Sequence, residues 1–264
     1  MILNDILTFK RKEVEELKLR YPLRRLQEAV LQKEGTTRRD FKKAISADPH
    51  RLNLIAEIKK ASPSEGVLRE NFQPLRLAAL LEYGGAAALS VLTETRYFKG
   101  RPSYLKTIRQ VTQIPILRKD FILDEYQLYE SRLLEADAVL LIASLLTNEE
   151  LKRFLDRSRE IGLDTLVEVH TDEDVKKAVG AGAEIFGVNN RNLQTLEVDV
   201  HRAEYLLAHL PKQATVVVES GFKSHEELLK YKSLGIHAFL VGTALMKAPD
   251  VVVKMQELLK GTKR

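Results

Sequence analysis

The stretch AVLLIASLLTNEELKRFLDRSREIGLDTLVEV, residues 138–169, holds one full period of the pattern that decides the fold. Its first five residues are all apolar, as in a short strand buried on both faces. Thr147 follows, with a hydroxyl suited to capping a helix over 148–161. A second apolar run at 166–169 begins the next unit. Outward from there, equivalent runs fall at 54–58, 88–92, 115–117, 185–188, 215–218 and 238–241, so eight runs start at intervals averaging about 26 residues. Each interval has room for one strand, one helix and two loops. Further helices are expected at 75–83, 124–135, 172–179, 200–209, 224–233 and 248–259, with Thr171 and Ser224 as caps and Glu227 completing a capping box. Gly-Ala or Gly-Ile pairs, such as Gly235-Ile236, precede several runs, where glycines that end helices belong. Eight units with doubly buried strands predict an α/β protein, a closed parallel (β/α)8 TIM barrel. A doubly wound open sheet is the alternative. It usually has fewer strands and a Gly-x-Gly-x-x-Gly turn after the first, and no such turn follows residue 58.

Upstream of residue 51 the strand signals stop. Ile2, Ile6, Phe9, Val14 and Leu17 keep approximately helical spacing, and Leu23, Leu26, Val30 and Leu31 follow after Tyr21-Pro22. Residues 1–50 thus read as an N-terminal helical extension of a single barrel domain spanning 1–264. This extension carries 12 of the 42 Lys and Arg residues but 8 of the 37 Asp and Glu residues, so most of the net charge of +5 sits there. A basic arm for nucleic acid or membrane is one reading. Interleaved Lys and Glu favour the other, a solvated extension packed on the barrel. The opening residues become charged too soon for a signal peptide, and no apolar run approaches the roughly 18 residues of a membrane span, so a cytoplasmic protein is expected. With no cysteine, the chain has no disulfide framework, thiolate zinc site, Fe–S cluster or cysteine nucleophile. Its chemistry is left to carboxylates, lysines and histidines.

In a barrel the active site lies at the carboxyl ends of the strands. Strand one ends in AEIKKASPSEG, which puts Glu57 and Lys59 on one face and Ser62 in the next loop. Strand three ends in Lys119, with Arg118 on the opposite face; strand five ends in Glu168, strand six in Asn189 with Arg191 two further on, and strand seven in Glu219 and Ser220. Any one of these acids could merely pair with a lysine. Three carboxylates and two lysines around one cavity cost several kcal/mol per ion unless paired, which favours a cluster kept for chemistry. His170, beyond Glu168, reads as a surface loop residue. The other histidines form no pattern, so no metal site is expected. Phe98 and Phe121 follow strands two and three, where rings either plug the core or grip a planar substrate. Ser220-Gly221 and Gly242-Thr243 follow the last two strands, where barrels frequently hold a phosphate.

Seven segments, LIAEIKKASPSEG (54–66), SVLTETRYFKG (90–100), ILRKDFILDEYQ (116–127), LVEVH (166–170), GVNNRNLQTLEVD (187–199), VVESGF (217–222) and FLVGTALM (239–246), closely resemble the indole-3-glycerol-phosphate synthase family in order and spacing. The resemblance runs from the helical extension to the last barrel helix. One departure is Glu65, where a basic residue is expected after Ser-Pro-Ser. The resemblance implies closure of 1-(2-carboxyphenylamino)-1-deoxyribulose 5-phosphate to indole-3-glycerol phosphate, with loss of carbon dioxide and water, in tryptophan biosynthesis. It implies no cofactor and no metal. By analogy with the family, Lys119 is the general acid for ring closure, Lys59 contacts the substrate carboxylate and donates a proton during dehydration, and Glu168 is the general base. Glu57 orients Lys119 or Lys59, while Glu219, Asn189 and Ser220 hold the anilino and hydroxyl groups. Ser62, Arg191, Gly221, Gly242 and Thr243 bind the carboxylate or phosphate ends, with Phe98 and Phe121 packed on the anthranilate ring. A monomer is expected, with a phosphorylated small molecule as ligand and other tryptophan-pathway enzymes as candidate partners, and with no nucleic-acid or membrane partner.

Two other readings compete. A phosphoribosylanthranilate isomerase is another barrel enzyme on a phosphorylated sugar, but that activity resembles a Cys and Asp pair, and this chain has no Cys. A noncatalytic ligand- or RNA-binding barrel would lean on the basic extension, against a barrel whose own charges nearly balance.

Overall fold

Eight parallel strands close into a barrel in the computed structural model, which describes residues 2–32, 38–48, 51–191 and 201–261. They are β1 (Asn53–Ile58), β2 (Ala88–Leu92), β3 (Ile116–Lys119), β4 (Ala138–Ile142), β5 (Asp164–Val169), β6 (Ile185–Asn189), β7 (Thr215–Glu219) and β8 (Ala238–Val241). Each pairs with its neighbours in sequence, and β8 closes on β1 with Asn53 opposite Ala238 and Ala56 opposite Val241. Side chains alternate across each strand. Ile55, Leu117, Leu140, Leu166, Val217 and Leu240 belong to the inner cluster, whereas Leu54, Ala56, Ile58, Leu141 and Val167 pack outward with the helices. The same period of two places the polar residues. Glu57, Lys119, Glu168 and Glu219 each lie two beyond an inward-facing apolar residue, so all four enter the barrel at its carboxyl mouth.

The extension supplies α1 (Ile2–Arg20), α2 (Leu23–Leu31) and α3 (Phe41–Ser46). Phe41 and Ile45 of α3 are fully buried in the inner cluster, and the Phe41 backbone N–H donates to Asp164 at the start of β5 (2.9 Å), so α3 stoppers the amino end. At the other end, Ile6 of α1 joins the same cluster. Lys10 of α1 is buried and reaches Asp120, just past β3, at 3.0 Å. Asp120 also meets Arg118 (3.2 Å), whose outward guanidinium is satisfied by Glu130 (2.7 Å) and Thr93 (3.1 Å). The helical expectation for the extension therefore holds over the described residues; residues 1, 33–37 and 49–50 lie outside them.

The barrel helices are α4 (Pro74–Tyr83), α5 (Ser103–Arg109), α6 (Tyr126–Leu133), α7 (Asn148–Glu160), α8 (Asp172–Gly180), α9 (His201–Leu207), α10 (His225–Lys232), α11 (Thr243–Lys247) and α12 (Val251–Lys260). Thr147, Thr171 and Ser224 form capping boxes with Glu150, Asp174 and Glu227. The structure departs from expectation at several places. The helix expected at 248–259 starts only at Val251, because Pro249 holds Ala248 out of the helical region (ψ 135°) and Asp250 caps α12, and a separate short helix, α11, precedes it at Thr243–Lys247. Strand β3 ends at Lys119 as expected, two residues past its apolar run, whereas β5 starts at Asp164, two residues before its own. After β1 an unforeseen antiparallel ribbon pairs Ala61–Ser62 with Gly66–Val67. Residues 192–200, which include most of the GVNNRNLQTLEVD motif and the first residue of the helix expected at 200–209, lie outside the described residues. Among the described residues no helix is long and apolar enough to cross a membrane.

Candidate active site

A cavity of about 760 Å³ opens at the carboxyl mouth, the size of a small-metabolite site. All fourteen residues singled out from the sequence line it. Ile2, Leu3 and Ile6 of α1 form part of its wall, so the extension covers the mouth as well as the floor of the barrel. Among the described residues no group of three or more acids and histidines is placed to hold a metal ion.

Lys119 stands at the centre. Its Nζ contacts Glu219 and lies 3.3 Å from Glu168 Oε2. Burial alone would discharge this ammonium, but Glu219, Glu168 and Glu57 outweigh it and push its pKa up. The two carboxylates divide according to their donors. Burial raises both, yet Glu168 also meets Lys119, His170 Nε2 (2.8 Å) and Asn189 Nδ2 (3.1 Å), and its pKa falls to about 2. Among the described residues the Glu219 carboxylate meets Lys119 alone, with its Oε1 buried and unpaired, and burial together with the nearby Glu168 pushes its pKa up. One carboxylate is thus held ionised beside another whose pKa is pushed up, with a lysine between them.

On the β1 side, Lys59 Nζ pairs with Glu57 Oε2 at 2.6 Å, so Glu57 touches Lys59 directly and reaches Lys119 only through its field. Gly242 makes room for that pair. A Cβ built on it would land on the Glu57 carboxylate. Gly242→Ala is therefore expected to fold yet lose about 10²-fold in kcat/KM, the scale on which small misplacements act; steady-state kinetics beside circular dichroism check this. Beyond β7, Ser220 (φ 69°) and Gly221 (φ 99°) both adopt left-handed backbone, with Asn190 Nδ2 donating to the Ser220 carbonyl (3.2 Å). A non-glycine residue held in that conformation is strained, as residues at functional sites often are. Arg191 donates its backbone N–H to Asn189 Oδ1 (3.0 Å), and its guanidinium reaches Ser64 Oγ at 3.5 Å, beside Ser62 Oγ. Glu65 is tied by Lys247 of α11, which draws its pKa down. The acid in place of an expected base thus has a local partner, and it also lines the cavity.

The aromatic wall is made by Phe98 and Phe121, ring centroids 6.3 Å apart. Sequence reasoning missed what sets Phe98. Glu94 is fully buried and its carboxylate accepts the backbone N–H groups of Arg96, Tyr97 and Phe98 (3.0, 2.7 and 2.8 Å), folding the loop after β2 around itself. Nothing in the sequence separates this acid from a solvated one. His170 needs correction. It is not a surface residue, because extended backbone through Val169 sets it on the same side as Glu168, with its side chain only 10% exposed.

The indole-3-glycerol phosphate synthase family model matches residues 3–258. A relative of that name from Thermoanaerobacter pseudethanolicus is 42% identical over 100% of this chain and 99% of its own length. Another, from Campylobacter jejuni, is 43% identical over 98% of this chain and 100% of its own. Among solved structures, the N-acetylmannosamine-6-phosphate 2-epimerase from Clostridium perfringens superposes with a TM-score of 0.62 at 18% identity, over 84% of this chain and 97% of that one, a likeness of fold alone. With the family matched over nearly the whole chain, it belongs to the indole-3-glycerol phosphate synthases, the decarboxylating lyases of tryptophan biosynthesis.

Proposed function

We propose that this chain forms indole-3-glycerol phosphate with Lys119 as the acid of ring closure, Lys59 as the acid of dehydration and Glu168 as the base. The observation that carries the reading is the Lys119 ammonium at the cavity floor between Glu168 and Glu219. The aryl carbon that bears the carboxylate attacks the ketone carbon, and Lys119 protonates the ketone oxygen as charge develops on it. The bond between that aryl carbon and its carboxylate then breaks, carbon dioxide leaves, and the bonding electrons restore the aromatic ring. Lys59 then protonates the new hydroxyl so that it departs as water. Glu168 takes the proton from the carbon next to nitrogen, and the double bond of the indole forms. Proton transfer by positioned groups of this kind contributes about 10²–10⁴-fold per step.

Binding follows from the same geometry. Phe98 and Phe121 stack against the anthranilate ring, and Lys59 meets its carboxylate before that group is lost. Asn189, Glu219 and Ser220 hold the anilino nitrogen and the hydroxyls. Ser62, Arg191, Gly221, Gly242 and Thr243 take the phosphate and carboxylate ends. Every group in this scheme comes from one chain, so the scheme needs no residue from a second copy, consistent with the expected monomer. A substrate with both carboxylate and phosphate does not cross membranes unaided, which suits a cytoplasmic enzyme.

Lys59→Met separates the two acids. In single turnover it is expected to release carbon dioxide while indole formation drops by about 10²-fold or more, with KM raised by the lost carboxylate contact. Loss of carbon dioxide release in step with indole would instead place Lys59 at ring closure.

A further inference from the structure

The carboxylate of Glu168 is held asymmetrically. Its Oε1 accepts from both His170 Nε2 (2.8 Å) and Asn189 Nδ2 (3.1 Å), whereas among the described residues its Oε2 faces Lys119 alone (3.3 Å). A carboxylate only accepts, so His170 carries a hydrogen on Nε2 whichever its ionisation state. The ring makes no other hydrogen bond among the described residues, since Nδ1 is buried and unpaired. A histidine kept for stability would be expected to satisfy both nitrogens when buried. This one spends its single hydrogen bond on Glu168. Its place is fixed through the backbone, because the His170 N–H donates to Asp174 Oδ2 (2.9 Å), the same carboxylate that closes the capping box of α8.

We propose that His170 is a positioning residue for the dehydration step: it occupies Glu168 Oε1 together with Asn189, so that Oε2, on the Lys119 side of the carboxylate, is the oxygen that receives the proton. The inference rests on the assignment of Glu168 as base. It requires nothing of ring closure, which belongs to Lys119. The base is thereby oriented by a third group, the arrangement that active sites use to fix a carboxylate or imidazole. The charged groups around the pair are Lys119 of β3, Glu219 of β7 and Asp174 of α8; burial lowers the His170 pKa, but Glu168 and then Asp174 and Glu219 turn it upward. His170 therefore tends to add positive charge where Glu168 must stay ionised until it acts.

The test compares His170→Asn with His170→Gln in single turnover on 1-(2-carboxyphenylamino)-1-deoxyribulose 5-phosphate, following carbon dioxide and indole separately. Gln presents an amide at the reach of Nε2, and Asn falls short of Oε1. The Asn variant is expected to release carbon dioxide at the rate of the unmodified enzyme with unchanged KM, while indole formation slows by about 10–100-fold, the range seen when a group that orients a reacting ligand is removed. The Gln variant is expected to recover most of that loss. Equal slowing of both products in the Asn variant, or slowing of neither, overturns the proposal, as does failure of Gln to recover. Should the Asn variant not fold, His170→Leu replaces it in the same comparison. Glu168→Gln, assayed alongside, keeps the two readings apart. If it makes indole at full rate the base assignment itself is wrong; if it fails to while His170→Asn does not slow, only the role of His170 falls.

Discussion

Lys119→Met is expected to leave a folded barrel that has lost at least about 10³-fold in kcat, equivalent to roughly 4 kcal/mol of transition-state stabilisation. Methionine nearly matches lysine in length and volume but cannot carry the charge, so the barrel interior stays filled. Two physical effects disappear together. The proton delivered to the ketone oxygen is gone, and Glu168 and Glu219 are left facing one another with no cation between them. The raised pKa of Lys119 does not argue against an acid role. An alkoxide developing on the ketone carbon is a far stronger base than an amine, so a fully charged ammonium transfers its proton readily, and a raised pKa ensures that the proton is present. Because ring closure precedes decarboxylation, both carbon dioxide and indole should vanish. Thermal unfolding and single-turnover kinetics on the same sample check this; near-normal turnover would remove Lys119 from the acid role.

Glu168→Gln should lose about 10²–10⁴-fold in indole formation while carbon dioxide release persists, since only the second half of the reaction needs the base. The substitution is nearly isosteric. An amide at Glu168 still faces Lys119 and Asn189, but it cannot accept a proton from carbon. It also removes the anion that draws the His170 pKa up, so His170 should titrate at lower pH in the variant, a shift that carbon-bound proton resonances of the ring report. Loss of carbon dioxide release in this variant would mean that Glu168 acts earlier, at ring closure.

The barrel was legible in the sequence because its two periods are strong: doubly buried apolar runs every 26 residues or so, and capped helices between them. The site was legible for a related reason. A strand fixes which face each residue takes, so a polar residue two beyond an inward apolar one must enter the mouth, as Glu57, Lys119, Glu168 and Glu219 do. What escaped depends on contacts between distant segments or on loops. Lys10 looks like one more solvated lysine among Lys and Glu, and only the packing of α1 on the loop after β3 buries it against Asp120. Glu94 wraps a loop around its own carboxylate. His170 was misread as a surface residue because it lies just past the end of β5 at Val169, and only the alternation it shares with Glu168 turns its ring onto that carboxylate. Gly242, read from sequence as a phosphate contact, also leaves space for Glu57, a role visible only once β8 and β1 stand side by side.

The central claim is that the strand-end cluster closes the indole ring with protein groups alone. The direct measurement mixes purified chain with 1-(2-carboxyphenylamino)-1-deoxyribulose 5-phosphate in the presence of chelator and without added metal, and follows the indole chromophore. Rapid formation, at one carbon dioxide per indole, is the predicted result. A well-folded chain that forms no indole under those conditions, but does so when a divalent cation is restored, would contradict the account.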